Sequence, residues 1–141
     1  MKRGLSLLLG FCFVTALQAC VPAWTTQREP PRQYVYFIEP ADGAALTSPF
    51  KLKFGVVGMM LQPSGTVSPD AGHHHLLIDT GAIKKGEVIA DDERHRHFCA
   101  GETEADVALP AGVHRLTMQF GDGLHRSYGP ALAQSISVTV K

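Results

Sequence analysis

The sequence predicts an all-β protein: an antiparallel, immunoglobulin-like β-sandwich of about seven strands behind an N-terminal signal segment. Two observations predict this class. Apolar and polar residues alternate with period two in several segments, and glycine and proline turns separate those segments. In addition, no stretch carries the stripe of apolar residues that an amphipathic helix needs. Seven short strands over about 100 residues are typical of a β-sandwich.

The predicted strands follow one another from residue 34 to the end of the chain. Residues 34–38, YVYFI, are rich in the aromatic and β-branched side chains that favour strands. Residues 50–57, FKLKFGVV, alternate apolar residues with lysine, which indicates a strand with one buried face. The next strands are expected at residues 74–78, 103–109 and 113–120. The alternating run ISVTV near the C-terminus forms the closing strand.

Residues 1–20, MKRGLSLLLGFCFVTALQAC, have the layout of an export signal, because a short apolar segment follows two basic residues. Two processing sites compete. LQAC resembles a bacterial lipobox, which would lipidate Cys20 and anchor the chain to a membrane. Because valine follows Cys20, that resemblance implies an outer-membrane lipoprotein facing the periplasm. Cleavage after Ala23 would instead release a soluble periplasmic protein. Residues 21–33 hold three prolines and are read as a tether before a domain at 34–141.

Charge, cysteine count and motifs exclude several classes of function. Removal of Lys2 and Arg3 leaves 11 basic and 13 acidic residues, a net charge of −2, which gives no basis for nucleic-acid binding. Cys12 and Cys20 belong to the signal segment, so Cys99 has no partner for an intramolecular disulfide. The chain has no nucleophile elbow, phosphate loop or dinucleotide fingerprint, and we therefore expect no enzyme.

Five of the seven histidines lie in two short segments, GHHHLLID at residues 72–79 and HRHFC at residues 95–99. Residues two apart on a strand share a face, so the outer two histidines of HHH point one way and His74 the other. A further histidine follows the Gly-Asp-Gly break at residues 121–123. Imidazole and thiolate are ligands for zinc and copper. The hypothesis is a copper or zinc site formed from His73, His75, His95, His97 and His125, with Cys99 as a further candidate.

A second interpretation of the same histidines stays open. Buried polar side chains commonly satisfy the backbone, so the imidazoles would donate to carbonyls or to Asp79, Asp91, Asp92 or Glu93 and hold the loops. His74 is expected to face the core, and His114 to be structural. The protein would then be a non-catalytic interaction or structural module of the cell envelope.

Three blocks carry a resemblance to a known family: GHHHLLID, HRHFCAGETE and LPAGVHRLTMQFGDGLH, together with the first strands and the ending ISVTV. The chain resembles the bacterial domain of unknown function 4399 family over about residues 35–141. The resemblance implies an exported envelope domain and no established activity. Cys99 stands where the family pattern has glycine, so the resemblance favours a ligand set of histidines alone. The matching positions are His73, His74, His75, Asp79, His95, His97, Phe98, Gly101, Thr103, Glu104, Pro110, Gly112, His114, Gly121, Asp122 and His125.

Overall fold

The structure, a computed structural model, describes residues 32–141. The predicted signal segment, the predicted lipidation site Cys20, the alternative cleavage site at Ala23 and most of the tether lie outside the described residues. Nothing in the described part of the chain tests those predictions. Among residues 32–141, no helix is long and apolar enough to cross a membrane.

The described residues form nine strands and one short 3-10 turn at Pro130–Leu132. The long strands coincide with the segments in which apolar and polar residues alternate. The short ones have two or three residues, which is too few for a period to be recognised in the sequence. The strands are β1 (Tyr34–Glu39), β2 (Ala45–Leu46), β3 (Phe50–Val57), β4 (Met60–Leu61), β5 (Ala71–Ile78), β6 (His95–His97), β7 (Glu104–Val107), β8 (Gly112–Gly121) and β9 (Ala133–Val140).

Two sheets pack against each other, and the predicted all-β sandwich is confirmed. One sheet has the order β1-β3-β7, and the other has the order β2-β9-β8-β5, with both β4 and β6 paired to β5. The long pairings are antiparallel, as predicted. The structure adds two short parallel pairings, β2 with β9 and β4 with β5. It has nine strands rather than about seven because β2, β4 and β6 carry no periodic signal.

The core lies between the inner faces of the two sheets. Leu52 and Phe54 of β3 meet Leu116, Met118 and Phe120 of β8, and all five are almost fully buried. Burial of each such side chain is worth about 1.5–3 kcal/mol relative to exposure. The alternation in β3 and β8 therefore specifies which face turns inward, and this fixes the register of the strands around β5.

The outer face of the larger sheet is also covered, which the sequence did not predict. A covering segment, residues 79–94, has a polar sequence without strand periodicity and folds back over β5 and β8. The Ile83 backbone N–H donates to the Gln119 side chain at 3.1 Å, and the Thr117 hydroxyl donates to the Thr80 carbonyl at 2.9 Å. Ile89 from this segment is buried. Strand β5 is consequently buried on both faces from residue 71 to residue 77.

Candidate metal centre

Strand β5 delivers two histidines to the covered outer face. His73 and His75 alternate with His74, so their rings lie on the side opposite the core, 4.5 Å apart between ring centroids. His97 of β6 is the direct cross-strand partner of His75, and their ring centroids are also 4.5 Å apart. Cross-strand partners point to the same face. The pairing of β5 with β6 therefore brings three imidazoles together.

His125 comes from the loop between β8 and β9 and joins this cluster. The loop is tight, and His125 has a left-handed backbone with φ 61°. Asp122 fixes its shape: one carboxylate oxygen accepts the Leu124 and Arg126 backbone N–H groups at 2.9 Å, and the other accepts Arg126 Nε at 2.8 Å. The His125 carbonyl in turn accepts the Ile89 N–H at 2.8 Å. His125 is thus held between β8 and the covering segment.

Two glycines flank Asp122 and allow the close approach of this loop. A Cβ atom on Gly121 would lie 2.7 Å from Cε1 of His75, so a side chain there would push that ring out of place. A Cβ atom on Gly123 would collide with the Thr66 backbone. The Gly-Asp-Gly sequence therefore lets the loop and the histidine rings pack in direct contact.

Ring nitrogens of two histidines lie close to the same nitrogen of a third, Nδ1 of His125. Nδ1 of His125 lies 3.0 Å from Nε2 of His73 and 3.2 Å from Nε2 of His75. A neutral imidazole nitrogen offers either one N–H or one lone pair, so Nδ1 of His125 makes one full hydrogen bond and not two. Nδ1 of His73 has no hydrogen-bond partner in the described part of the chain, and Nδ1 of His75 has none of ordinary geometry. A Gln119 backbone group opposes only part of the lowering of the His75 pKa. Hydrogen bonding alone leaves this cluster unsatisfied.

Among the described residues, two sets of three potential ligands lie close together and share His125. His75, His97 and His125 form an all-imidazole set, and His73, Cys99 and His125 form a set with one thiol. Within each set, one potential ligand atom per residue lies within 4.8 Å of the others. Tetrahedral zinc with bonds of 2.0–2.1 Å needs ligand nitrogens about 3.3 Å apart. The 3.0 and 3.2 Å separations around His125 are close to that value.

Burial keeps the cluster neutral, which is the protonation state that binds metals. Burial and then the neighbouring His125 and His97 lower the pKa of His73 to about 4. The same causes, burial first and then His73, His97 and His125, lower the pKa of His75 to about 2. The pKa of His125 is lowered by burial and by His97. At neutral pH each of these rings therefore has a free lone pair.

His97 has a hydrogen bond that orients it for a ligand. Its Nε2 lies 2.6 Å from the Ala90 carbonyl, to which it donates a proton. Because Nε2 then carries the hydrogen, Nδ1 is the nitrogen with a free lone pair. Metal-ligating histidines usually make such a hydrogen bond through the second ring nitrogen. The covering segment thus sets the tautomer of His97.

The remaining histidines have separate surroundings. His95 shares a face with His97, yet its Nδ1 pairs with an Asp92 carboxylate oxygen at 2.6 Å, and the structure does not bring it into either ligand set. His114 pairs through Nδ1 with Asp79 at 2.9 Å and through Nε2 with the Pro110 carbonyl at 3.0 Å. This hydrogen bond with Asp79 raises the pKa of His114.

His74 faces the core, as the alternation in β5 predicts, but it is not hydrogen-bonded as a buried histidine was expected to be. Its ring packs edge-on against Phe54 and Phe120. Neither ring nitrogen has a hydrogen-bond partner of ordinary geometry among the described residues. Burial lowers its pKa to about 4, and a backbone group of Gly55 opposes this only in part. His74 is a neutral aromatic core residue.

Comparison with known proteins identifies the family. The profile of the family described as Domain of unknown function (DUF4399) matches residues 52–141. The chain belongs to this family. The match spans β3 to β9 and contains the whole histidine cluster. Searches of curated proteins and of solved structures return no match. The family description names no activity, so the chemistry of the cluster is the basis for a functional proposal.

Three contributors to the site were not assigned a role from the sequence. They are the Ala90 carbonyl, the Asp122 carboxylate and the absence of a side chain at Gly121, which lets the His75 ring pack against its backbone. Every residue has a carbonyl, so nothing in the sequence distinguishes Ala90. The Gly-Asp-Gly triplet is a recognisable signal, because two glycines around one aspartate indicate a tight turn with close backbone approach.

Proposed function

We propose that the domain binds one transition-metal ion, copper or zinc, in the cluster of His75, His97 and His125, for storage, delivery or sensing in the cell envelope. The observation that supports this most directly is that two buried ring nitrogens face the same nitrogen of His125. Nδ1 of His125 faces Nε2 of His73 and Nε2 of His75 at hydrogen-bond distance. A bound cation would accept lone pairs from several nitrogens at once, which hydrogen bonds between neutral rings do not do.

The surroundings of the cluster also favour a cation. An open depression beside it is lined by His97 and Cys99, and by three carboxylates that outnumber one guanidinium: Asp91, Asp92, Glu93 and Arg96. Carboxylates at the mouth of a site raise the local concentration of cations. Asp91 and Asp122 also act on His125, because their charges oppose the lowering of its pKa. A divalent ion that enters from this side would therefore meet a favourable field before it reaches the imidazoles.

The competing function is a structural or interaction module in which the histidines only hold loops. The hydrogen bond from His97 to the Ala90 carbonyl favours it, because that bond ties the covering segment to β6. The same bond is also what a metal ligand needs. The two functions differ in whether an ion remains bound after purification.

Metal content is the experiment that separates them. The full chain, purified without chelator and without a histidine tag, is loaded with copper or zinc, desalted and analysed by mass spectrometry. We expect near-stoichiometric metal, and we expect its loss in the triple variant His73→Ala/His75→Ala/His97→Ala. His95→Ala is the matched control, because His95 lies on the same strand as His97 but pairs with Asp92. A wild-type chain that retains no metal would overturn the proposal.

We also propose that the chain is an outer-membrane lipoprotein, anchored through Cys20 and facing the periplasm. The LQAC sequence at the end of the apolar segment supports this. A soluble periplasmic form cut after Ala23 is the alternative. Detergent phase partitioning of the mature chain distinguishes them. The anchored form enters the detergent phase, and Cys20→Ala does not yield a lipidated form. A wild-type mature chain found in the aqueous phase, starting at Trp24, would contradict the anchor.

A further inference from the structure

We propose that the site has two coordination modes that share His125, and that the mode containing Cys99 selects the soft monovalent ion Cu(I). The all-imidazole mode, His75 with His97 and His125, takes divalent ions. The thiol mode, His73 with Cys99 and His125, takes Cu(I). This inference rests on the proposed metal binding and specifies which ions the site prefers and why.

The geometry supports two modes rather than one shell of five ligands. Each set of three has potential ligand atoms within 4.8 Å of one another, and His125 alone belongs to both. His73 and His75 each approach the same His125 nitrogen, at 3.0 and 3.2 Å. One ion near His125 can therefore be held from the His73 side or from the His75 side with small side-chain movements.

His73 is a residue that the all-imidazole mode does not use. Its side chain is fully buried, and its Nδ1 has no hydrogen-bond partner in residues 32–141. Burial of a polar group without a partner costs free energy. A bond from Nδ1 to a metal ion would give this buried nitrogen a partner that the described residues do not provide.

The backbone holds Cys99 in place beside this ring. The preceding residue, Phe98, donates its N–H to the His74 carbonyl at 3.1 Å and buries its ring in the core. The Cys99 carbonyl accepts the Ser64 N–H at 2.9 Å. The thiol is half-buried and is not in a disulfide within the described residues. A fixed, reduced thiol next to two imidazoles is a preformed ligand.

Ligand chemistry then assigns the ions. Thiolate is a soft ligand that favours Cu(I), whereas imidazole suits Cu(II) and Zn(II) as well. Only the thiolate form binds, so occupation of the thiol mode releases the Cys99 proton to solvent. No electron is transferred in this step, because copper is supplied already reduced. The two modes thus differ in one type of ligand atom: the thiol mode has a soft thiolate sulfur where the all-imidazole mode has a third ring nitrogen.

Affinity competition on the full chain tests this. Cu(I) is supplied without oxygen and competed with bicinchoninate, and Zn(II) is competed with a chromophoric chelator. We expect Cys99→Ser to lower the ratio of Cu(I) to Zn(II) affinity at least about 10-fold and His97→Ala to raise it by a similar factor. His95→Ala should change neither affinity. Urea unfolding of each variant shows whether it retains the wild-type fold.

The possible outcomes separate the two proposals. A wild-type chain that binds neither ion overturns metal binding itself, and with it the two modes. A wild-type chain that binds both ions, with Cys99→Ser leaving the affinity ratio unchanged, overturns the two modes alone. An equal loss of Cu(I) and Zn(II) affinity in Cys99→Ser also overturns the two modes, since Cys99 would then be a ligand in a single coordination shell. If either variant unfolds, Cys99→Ala and His97→Gln replace it in the same measurement.

Discussion

Two groups of histidines in this domain have opposite surroundings. His114 has an acceptor for each ring nitrogen, the Asp79 carboxylate and the Pro110 carbonyl. In the cluster around His125, ring nitrogens face other ring nitrogens, and the buried Nδ1 atoms of His73 and His75 have no partner of ordinary geometry in the described residues. The pKa of His114 is raised, and the pKa values of His73 and His75 are lowered. The partners of a histidine, and not its burial alone, therefore indicate whether it is structural or a candidate ligand.

The largest expected effect follows from His125→Ala, which removes the ligand shared by both sets. We expect metal affinity to fall at least about 100-fold, because changes that only disturb ligand orientation already cost 10–100-fold. Competition with a chelator measures this. His114→Ala tests the other group and should leave affinity unchanged. Retained affinity in His125→Ala would place the ion elsewhere.

A smaller effect is expected from Gly121→Ala, which changes no ligand. The added methyl group would lie 2.7 Å from Cε1 of His75 and would displace that ring. We expect a loss of metal affinity of about 10-fold. Gly81→Ala is the matched control, because a Cβ atom there meets nothing within 4 Å. Equal affinities for the two variants would show that the position of His75 does not matter.

The two groups also predict opposite responses to pH in the metal-free protein. His73 and His74 have folded-state pKa values of about 4, below the unfolded value of 6.5. Between these values the unfolded chain binds more protons, so the free energy of unfolding falls as pH falls, by up to about 1.4 kcal/mol per pH unit for each group. The His114 contribution is fully present below 6.5 and is lost as pH rises through its raised pKa.

Urea unfolding with chelator present measures this pH dependence. We expect lower stability at pH 5 than at pH 7 in the wild type. We expect a shallower loss in His74→Leu, which removes one of the groups whose pKa is lowered. A wild-type protein that is equally stable at pH 5 and at pH 7 would show that the fold does not keep the buried rings neutral.

The smallest expected effect compares one substitution at two histidines. His74 has no hydrogen-bond partner of ordinary geometry among residues 32–141, so His74→Leu removes an unsatisfied buried group and should raise the free energy of unfolding by about 1 kcal/mol. His114→Leu removes the partner of Asp79 Oδ2 and of the Pro110 carbonyl and should lower the free energy of unfolding by about 1 kcal/mol. Unfolding at pH 7 distinguishes them. Equal losses of unfolding free energy in the two variants would contradict the difference between a histidine without partners and a histidine with two.

The local part of the site could be predicted from the sequence. Alternation on β5 places His73 and His75 on one face and His74 on the other, and the structure has this arrangement. Strand periodicity places His95 beside His97, so it could not decide between a metal ligand and the hydrogen bond to Asp92 that the second interpretation allowed. In the structure, Nδ1 of His95 is hydrogen-bonded to the carboxylate of Asp92, three residues earlier.

The tertiary part of the site could not be predicted. The approach of His125 depends on the contact of the Asp122 loop with the covering segment, through the hydrogen bond from the Ile89 N–H to the His125 carbonyl. That segment has a polar, aperiodic sequence, and its path over the sheet is fixed by backbone hydrogen bonds that any residue type can make. The sandwich itself was predictable, because β3, β8 and β9 carry a period-two pattern and β1 is rich in strand-forming residues.

Nitrogen NMR of the histidine rings during zinc addition tests the central claim most directly, since it identifies the atom that binds. The account predicts coordination shifts at Nε2 of His75 and at Nδ1 of His125. For His97 the coordination shift should appear at Nδ1, because its Nε2 donates a hydrogen bond to the Ala90 carbonyl. The rings of His74, His95 and His114 should keep their shifts. Unchanged nitrogens in the cluster at saturating zinc, or shifts confined to His95 and His114, would contradict the account.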